Sequence, residues 1–146
     1  MALPLFGQAT FNAKYQYFVE PPVEWLNVPQ ATDQVMMFVN PEQTITTTSI
    51  AMPAQKQPIE QSINQYLQTK TIIGTPEMAL FSYNNYPSML VMYQWGSETQ
   101  HNVGYMIWVD TAKNSYLIDI ITNEKTASNP LQMAMIYSTL DSLGIG

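Results

Sequence analysis

Cysteine and arginine are both missing from this 146-residue chain, and histidine occurs once, at His101. Without cysteine there is no disulfide framework, thiol nucleophile or thiolate metal site. Without arginine there is no bidentate fork for phosphate, carboxylate or guanine. A single histidine cannot build a multi-histidine metal site or a histidine relay. Charge is scarce as well: 11% of residues are charged, against about 25% in an average soluble domain. The positive charge rests on Lys14, Lys56, Lys70, Lys113 and Lys125, scattered singly, and the net charge is −6. That acidic balance disfavours nucleic acid and anionic membrane surfaces as partners. No apolar run reaches the roughly 18 residues of a membrane-spanning helix. No phosphate-binding glycine loop, dinucleotide fingerprint or nucleophile elbow is present.

Apolar material is plentiful: 46% of residues are hydrophobic, 12% are aromatic, and there are ten methionines. Threonine, glutamine, asparagine and serine replace the missing charge. This composition builds a core, whereas disorder goes with low hydrophobicity and high charge. A surface poor in charge also loses little when it is taken out of water by a close contact.

The pattern along the chain predicts an irregular arm over 1–12 and one domain over 13–146. Ala13 to Val19 is expected as a first strand, stopped by Glu20-Pro21-Pro22. Val23 to Ala31 is expected as a loop. Gln34 to Asn40 and Thr44 to Met52 read as a hairpin around Asn40-Pro41-Glu42-Gln43. A helix should open at Pro58, where a missing N–H costs nothing. Its apolar stripe is Ile59, Ile63, Tyr66 and Leu67. Gly74-Thr75-Pro76 should end that region. Period-two alternation then predicts a meander of strands, Glu77 to Tyr83, Ser88 to Trp95, Val103 to Val109 and Ser115 to Thr122. The first pair is joined by a turn at Asn84 to Pro87. A last helix is expected after the cap Asn129-Pro130, with the stripe Met133, Ile136, Leu140 and Leu143 and a C-cap at Gly144. These elements give an α+β fold: strand, hairpin, helix, strand meander and C-terminal helix, with helices packed on a mainly antiparallel sheet.

This order resembles the PsbP-like fold group. That group includes the photosystem extrinsic protein, Mog-type Ran-binding proteins, DcrB-like bacterial proteins and Eag-type chaperones of type VI secretion. The resemblance covers roughly residues 13–146. It rests on the loop with Pro21, Pro22 and Trp25, the following hairpin, the helix opened by Pro58, the turn with Asn85, Tyr86 and Pro87, and the closing Ser142, Leu143 and Gly144. No branch of the group is known mainly for catalysis, so the resemblance implies binding.

Few side chains are candidates for chemistry. His101, in a predicted turn near Glu98, is either a ligand or base oriented by Glu98, or a solvated loop residue. Asp119 shares a strand face with Leu117 and Ile121. If that face is buried, its carboxyl is desolvated and its pKa raised; otherwise the face is solvent or an interface rim. Asp110, at a strand end, is expected to shape a turn. The apolar start Met1 to Phe6 lacks a basic region before it and is not read as a signal peptide. An apolar tail frays in a monomer, so Leu3, Leu5 and Phe6 are expected to dock on another subunit. Met89, Met92, Met106 and Trp108 are candidates for a partner-binding concavity of the sheet, since methionine surfaces adapt to varied partners.

The expected function is therefore non-enzymatic protein–protein interaction. The first expectation is a structural subunit of a larger assembly such as a phage virion, tail or baseplate. The second is a PsbP-like adaptor or secretion chaperone that binds a partner peptide or helix. Catalysis through Asp119 or His101 ranks last. No cofactor or metal is expected. Other protein subunits, in a homo- or hetero-oligomer, are the expected partners, in the cytoplasm or a virion.

Overall fold

The computed structural model describes residues 10–97 and 99–145. A small hairpin comes first, from Thr10–Asn12 (β1) and Tyr17–Val19 (β2). The last residues of the expected arm thus form a strand. The strand expected from Ala13 begins only at Tyr17, because the Asn12 carboxamide accepts the Tyr15 N–H at 3.0 Å. That side-chain turn bends the chain, and Gln16 takes φ +53°. The expected docking segment with Leu3, Leu5 and Phe6 lies outside the described residues, as does Glu98.

The loop after Pro21-Pro22 contains a short strand, Leu26–Val28 (β3). The predicted hairpin follows as Val35–Val39 (β4) and Ile45–Pro53 (β5). Its turn is held by Asn40, whose side-chain oxygen accepts the N–H groups of Thr44 and Ile45 at 2.8 Å each. Helix Ile59–Leu67 (α1) has Pro58 at its N-cap. The meander is Ile72–Tyr83 (β6), Tyr86–Gly96 (β7), His101–Asp110 (β8) and Asn114–Asn123 (β9). Gly74-Thr75-Pro76 does not end the element before β6. It forms an irregularity inside β6, where the register shifts between Ile73 and Glu77 and Gly74 takes φ +71°. The β6–β7 turn is only Asn84-Asn85, with φ +50° and +68°, and Tyr86 and Pro87 belong to β7. Positive φ at both central residues is the tight hairpin geometry that asparagine tolerates.

A helical turn unseen in the sequence, Glu124–Ala127 (α2), is capped by the Asn123 side chain accepting from Thr126 N–H at 2.7 Å. Helix Pro130–Leu140 (α3) starts as expected: Asn129 accepts from the N–H groups of Leu131 and Gln132. Asp141 is its C-cap. Gly144, expected there, instead lies in Gly144–Ile145 (β10), paired with Phe18. The Phe18 ring occupies the space a Cβ at Gly144 would need.

The main sheet has seven antiparallel strands in the order β3-β4-β5-β9-β8-β7-β6, and a small sheet has the order β1-β2-β10. The centre strand β9 is buried on both faces, Ser115 through Ile120. One face of the sheet packs on α1, through Met89, Val91, Met106, Trp108 and Leu117 against Ile63 and Leu67. The other packs on α3 and the small sheet, through Ile107, Val109, Tyr116, Ile118 and Ile120 with Ile136, Leu140 and Tyr17. Full burial of each such aliphatic side chain is worth about 1.5–3 kcal/mol relative to exposure. Both predicted helix stripes face the sheet. Asp110 ties the β8–β9 turn, accepting from Trp108 Nε1 at 2.7 Å and Ser115 Oγ at 2.8 Å.

Candidate functional site

Alternation sends consecutive residues of a strand to opposite faces, and on β7 this divides the expected partner-binding set. Met89 lies on the α1 face with Val91 and Tyr93, while Leu90 and Met92 point to the α3 face. Met89 pairs across with Trp108, and Val91 with Met106, so those side chains share the α1 face. Met89, Met106 and Trp108 are 5%, 0% and 2% exposed. The concavity expected at these three residues is filled by α1 of the same chain, and they belong to the core. Met92, at 39% exposure, is the one of the four that remains open to a partner.

Around Met92 the sheet is uncovered. Helix α3 packs over β8 and leaves the α3 face of β6 and β7 open at Ala79, Leu90 and Met92, while Ser88 further along is buried. Glu77, Ala79 and Phe81 of β6 face Met92, Leu90 and Ser88 of β7 in register. Leu90 is 42% exposed, Phe81 38%, and Tyr137, on the flank of α3, 53%. A hollow of about 360 Å³ lies between Ala79, Leu90, Met92, Tyr105 and Tyr137. A second, of about 190 Å³, continues past Leu90 and Tyr137 to Phe81, Tyr83 and Asp141. Together they make an apolar groove along α3. Its aromatic wall is fixed by edge contacts, Tyr105 with Tyr137 at 6.1 Å and Phe81 with Tyr83 at 6.3 Å. The Tyr83 hydroxyl donates at 2.7 Å to the Leu143 carbonyl and lies 2.9 Å from that of Asp141. The exposed carboxylates Glu77 and Asp141 line the two hollows, one each.

Asp119 is fully buried, under α1. The Tyr66 hydroxyl, from α1, donates to its Oδ2 at 2.6 Å, and the Tyr93 hydroxyl, from β7, lies 2.7 Å and 2.9 Å from its two oxygens. Lys70 Nζ stands 3.8 Å from Oδ2, and also 5.7 Å and 5.2 Å from the ring centres of Tyr66 and Trp95. Burial pushes the Asp119 carboxyl above the ordinary carboxylate range, and the two tyrosines and Lys70 offset part of that rise. Burial and the carboxylate together push both tyrosine hydroxyls upward. The desolvated alternative for Asp119 is thus the one the fold adopts. Both oxygens are engaged and closed off from solvent, so the group works as a tie between α1 and the sheet. In the sequence Tyr66 is only part of the α1 stripe, and Tyr93 only one position of the alternating run Ser88 to Trp95. A signal for their meeting was present: Gly104, in the middle of an alternating strand, pairs with Tyr93. A Cβ at Gly104 would overlap the Tyr93 ring. The bare backbone lets the ring lie across β8 and reach Asp119 on β9.

His101 begins β8 and is exposed, with Nδ1 3.2 Å from Glu124 Oε1. Its described partner is therefore a carboxylate on α2. No group of three or more metal-ligating side chains occurs among the described residues, and none of their helices is long and apolar enough to cross a membrane.

No protein-family model matches the chain, and no curated protein matches it. Solved structures do. The cyanobacterial PsbP protein, CyanoP, of Synechocystis sp. PCC 6803 matches with a TM-score of 0.67 at 12% identity, over 97% of this chain and 94% of CyanoP. A protein of Bacteroides thetaiotaomicron VPI-5482 matches with a TM-score of 0.63 at 11% identity, over 95% of this chain. This chain spans about half of that protein, 47% of its length. LpqN of Mycobacterium tuberculosis, a protein involved in cell envelope biogenesis, matches with a TM-score of 0.61 at 7% identity, over 87% of this chain and 81% of LpqN. At these identities the likeness establishes the fold, which is PsbP-like, as the sequence resemblance implied.

Proposed function

We propose that this PsbP-like domain is a non-catalytic protein-binding module that seats an apolar segment of a partner protein in the groove along α3. The observation that carries the reading is the groove itself. Phe81, Leu90, Met92 and Tyr137 are each more than a third exposed on one continuous surface. Aromatic and methionine side chains of this kind are the usual anchors of protein contacts. The carboxylates of Glu77 and Asp141 on the lining, and a net charge of −6, select an apolar segment flanked by basic residues. This is the adaptor reading of the sequence. The virion, tail or baseplate reading rested on composition, the missing catalytic set and the expected docking of the N-terminal arm, and none of the three similar structures is described as such a protein.

A panel of fluorescently labelled amphipathic peptides with lysine or glutamate flanks tests the groove by anisotropy. Lysine-flanked peptides should bind more tightly than glutamate-flanked ones. Leu90→Lys should weaken that binding about tenfold or more, since an anchor side chain is worth about 1.5 kcal/mol or more. Equal binding by native protein and Leu90→Lys would remove the reading.

A further inference from the structure

The two ends of the main sheet are guarded very differently. At one end β3 is three residues long, with Pro21-Pro22 before it and Pro29 after it, a short edge of the kind that resists pairing. At the other end β6 runs twelve residues with no described strand on its outer side. The irregularity at Gly74 disrupts only its first part. Residues 77–83 pair regularly with β7. They contain no proline and no lysine, and the one charge is Glu77. Apolar side chains are open on both faces: Leu80 is 75% exposed on the α1 face and Phe81 38% on the α3 face. An edge this long, regular and apolar is a template for another strand.

The backbone directions follow from the turn. Tyr83 and Tyr86 flank the two-residue turn and form the closing hydrogen-bonded pair. Counting back in steps of two, the N–H and C=O groups of Ser82, Leu80 and Met78 point outward. We propose that β6 is the dimer strand of this protein, two copies pairing antiparallel through residues 77–83 about a two-fold axis at Leu80. The sequence is complementary to itself in this register. Leu80 meets Leu80 of the second copy as a hydrogen-bonded pair, and Met78 meets Ser82, so every outward-pointing backbone group finds an outward-pointing partner. Small Ala79 faces large Phe81 twice, once on each side of the axis. Glu77 faces Tyr83, so like charges never stand opposite each other. An isologous contact of this kind closes at two copies.

The absence of cysteine makes the register directly testable. In a hydrogen-bonded antiparallel pair the Cα atoms are about 5.5 Å apart, within the disulfide range of about 4.4–6.8 Å. Leu80→Cys should therefore cross-link to a dimer under mild oxidation. The two copies of Ser82 would lie four residues apart along the strands, about 13 Å, so Ser82→Cys should stay uncross-linked. Light scattering of the native chain from about 5 to 500 μM should show a monomer–dimer equilibrium, in the micromolar range open to small interfaces. Leu80→Lys, which sets two lysines face to face, should shift it to monomer with an unchanged circular dichroism spectrum. A monomer throughout that range, equal cross-linking at positions 80 and 82, or β6 pairing only with a different protein would each overturn the proposal. The dimer strand borders the groove through Ala79 and Phe81, but Leu90 lies one strand inward, outside the seam: Leu90→Lys should weaken peptide binding about tenfold or more without changing the mass in solution.

Discussion

Asp119 shows how one residue can cost stability in order to place an element. Its carboxyl is taken out of water, and the hydroxyls of Tyr66 and Tyr93 with Lys70 restore only part of what is lost. The folded protein holds the Asp119 proton more tightly than the unfolded chain, whose value is about 3.9. The stabilising contribution is complete below that unfolded value and is lost as pH rises through the raised folded one. Asp119→Asn has no such titration. Urea melts at several pH values should therefore show the native chain losing stability relative to Asp119→Asn as pH rises from about 4 through the raised folded value. A difference that stays flat across that window would contradict the burial of an ionisable group there. The sequence posed this question through the Leu117-Ile118-Asp119-Ile120-Ile121 run and could not answer it. Burial of that face depends on α1, which lies more than fifty residues earlier in the chain.

Among the elements, the meander and the two main helices were readable because period-two and period-3.6 patterns state which residues share a face. The β1–β2 break, α2 and the inclusion of Gly74 in β6 were not readable. Each depends on a single side-chain bond or a register shift that alternation does not encode. Gly104 is the informative exception, a strand glycine whose missing side chain joins three strands through Tyr93. Gly104→Ala should force the Tyr93 ring off Asp119 and cost about 1–3 kcal/mol, the usual range for overpacking. A double-mutant cycle with Tyr93→Ala checks this. The alanine should cost much less once the ring is gone, whereas additive effects would place the strain elsewhere.

For the whole molecule, charge and edge act against each other. Each copy carries −6, so two copies repel while β6 favours their pairing. Raising salt from 0.01 to 1 M shortens the screening length from about 30 Å to about 3 Å. Self-association measured by sedimentation should tighten over that range. Weakening with salt would mean that ion pairs hold the contact, which a β6 interface built on Leu80, Ala79 and Phe81 does not supply.

The sequence by itself determined the types of the longer elements, the α+β class, the helix starts near Pro58 and at Asn129, and the lack of any thiolate or arginine chemistry. These follow from local propensity and composition, which act within a few residues. Tertiary structure alone decided which faces are covered. Met89 and Met92 are three residues apart and both apolar, yet one is core and the other surface. Alternation sets their opposite directions, and only the docking of α1 over one face, with α3 stopping short on the other, decides what water can reach.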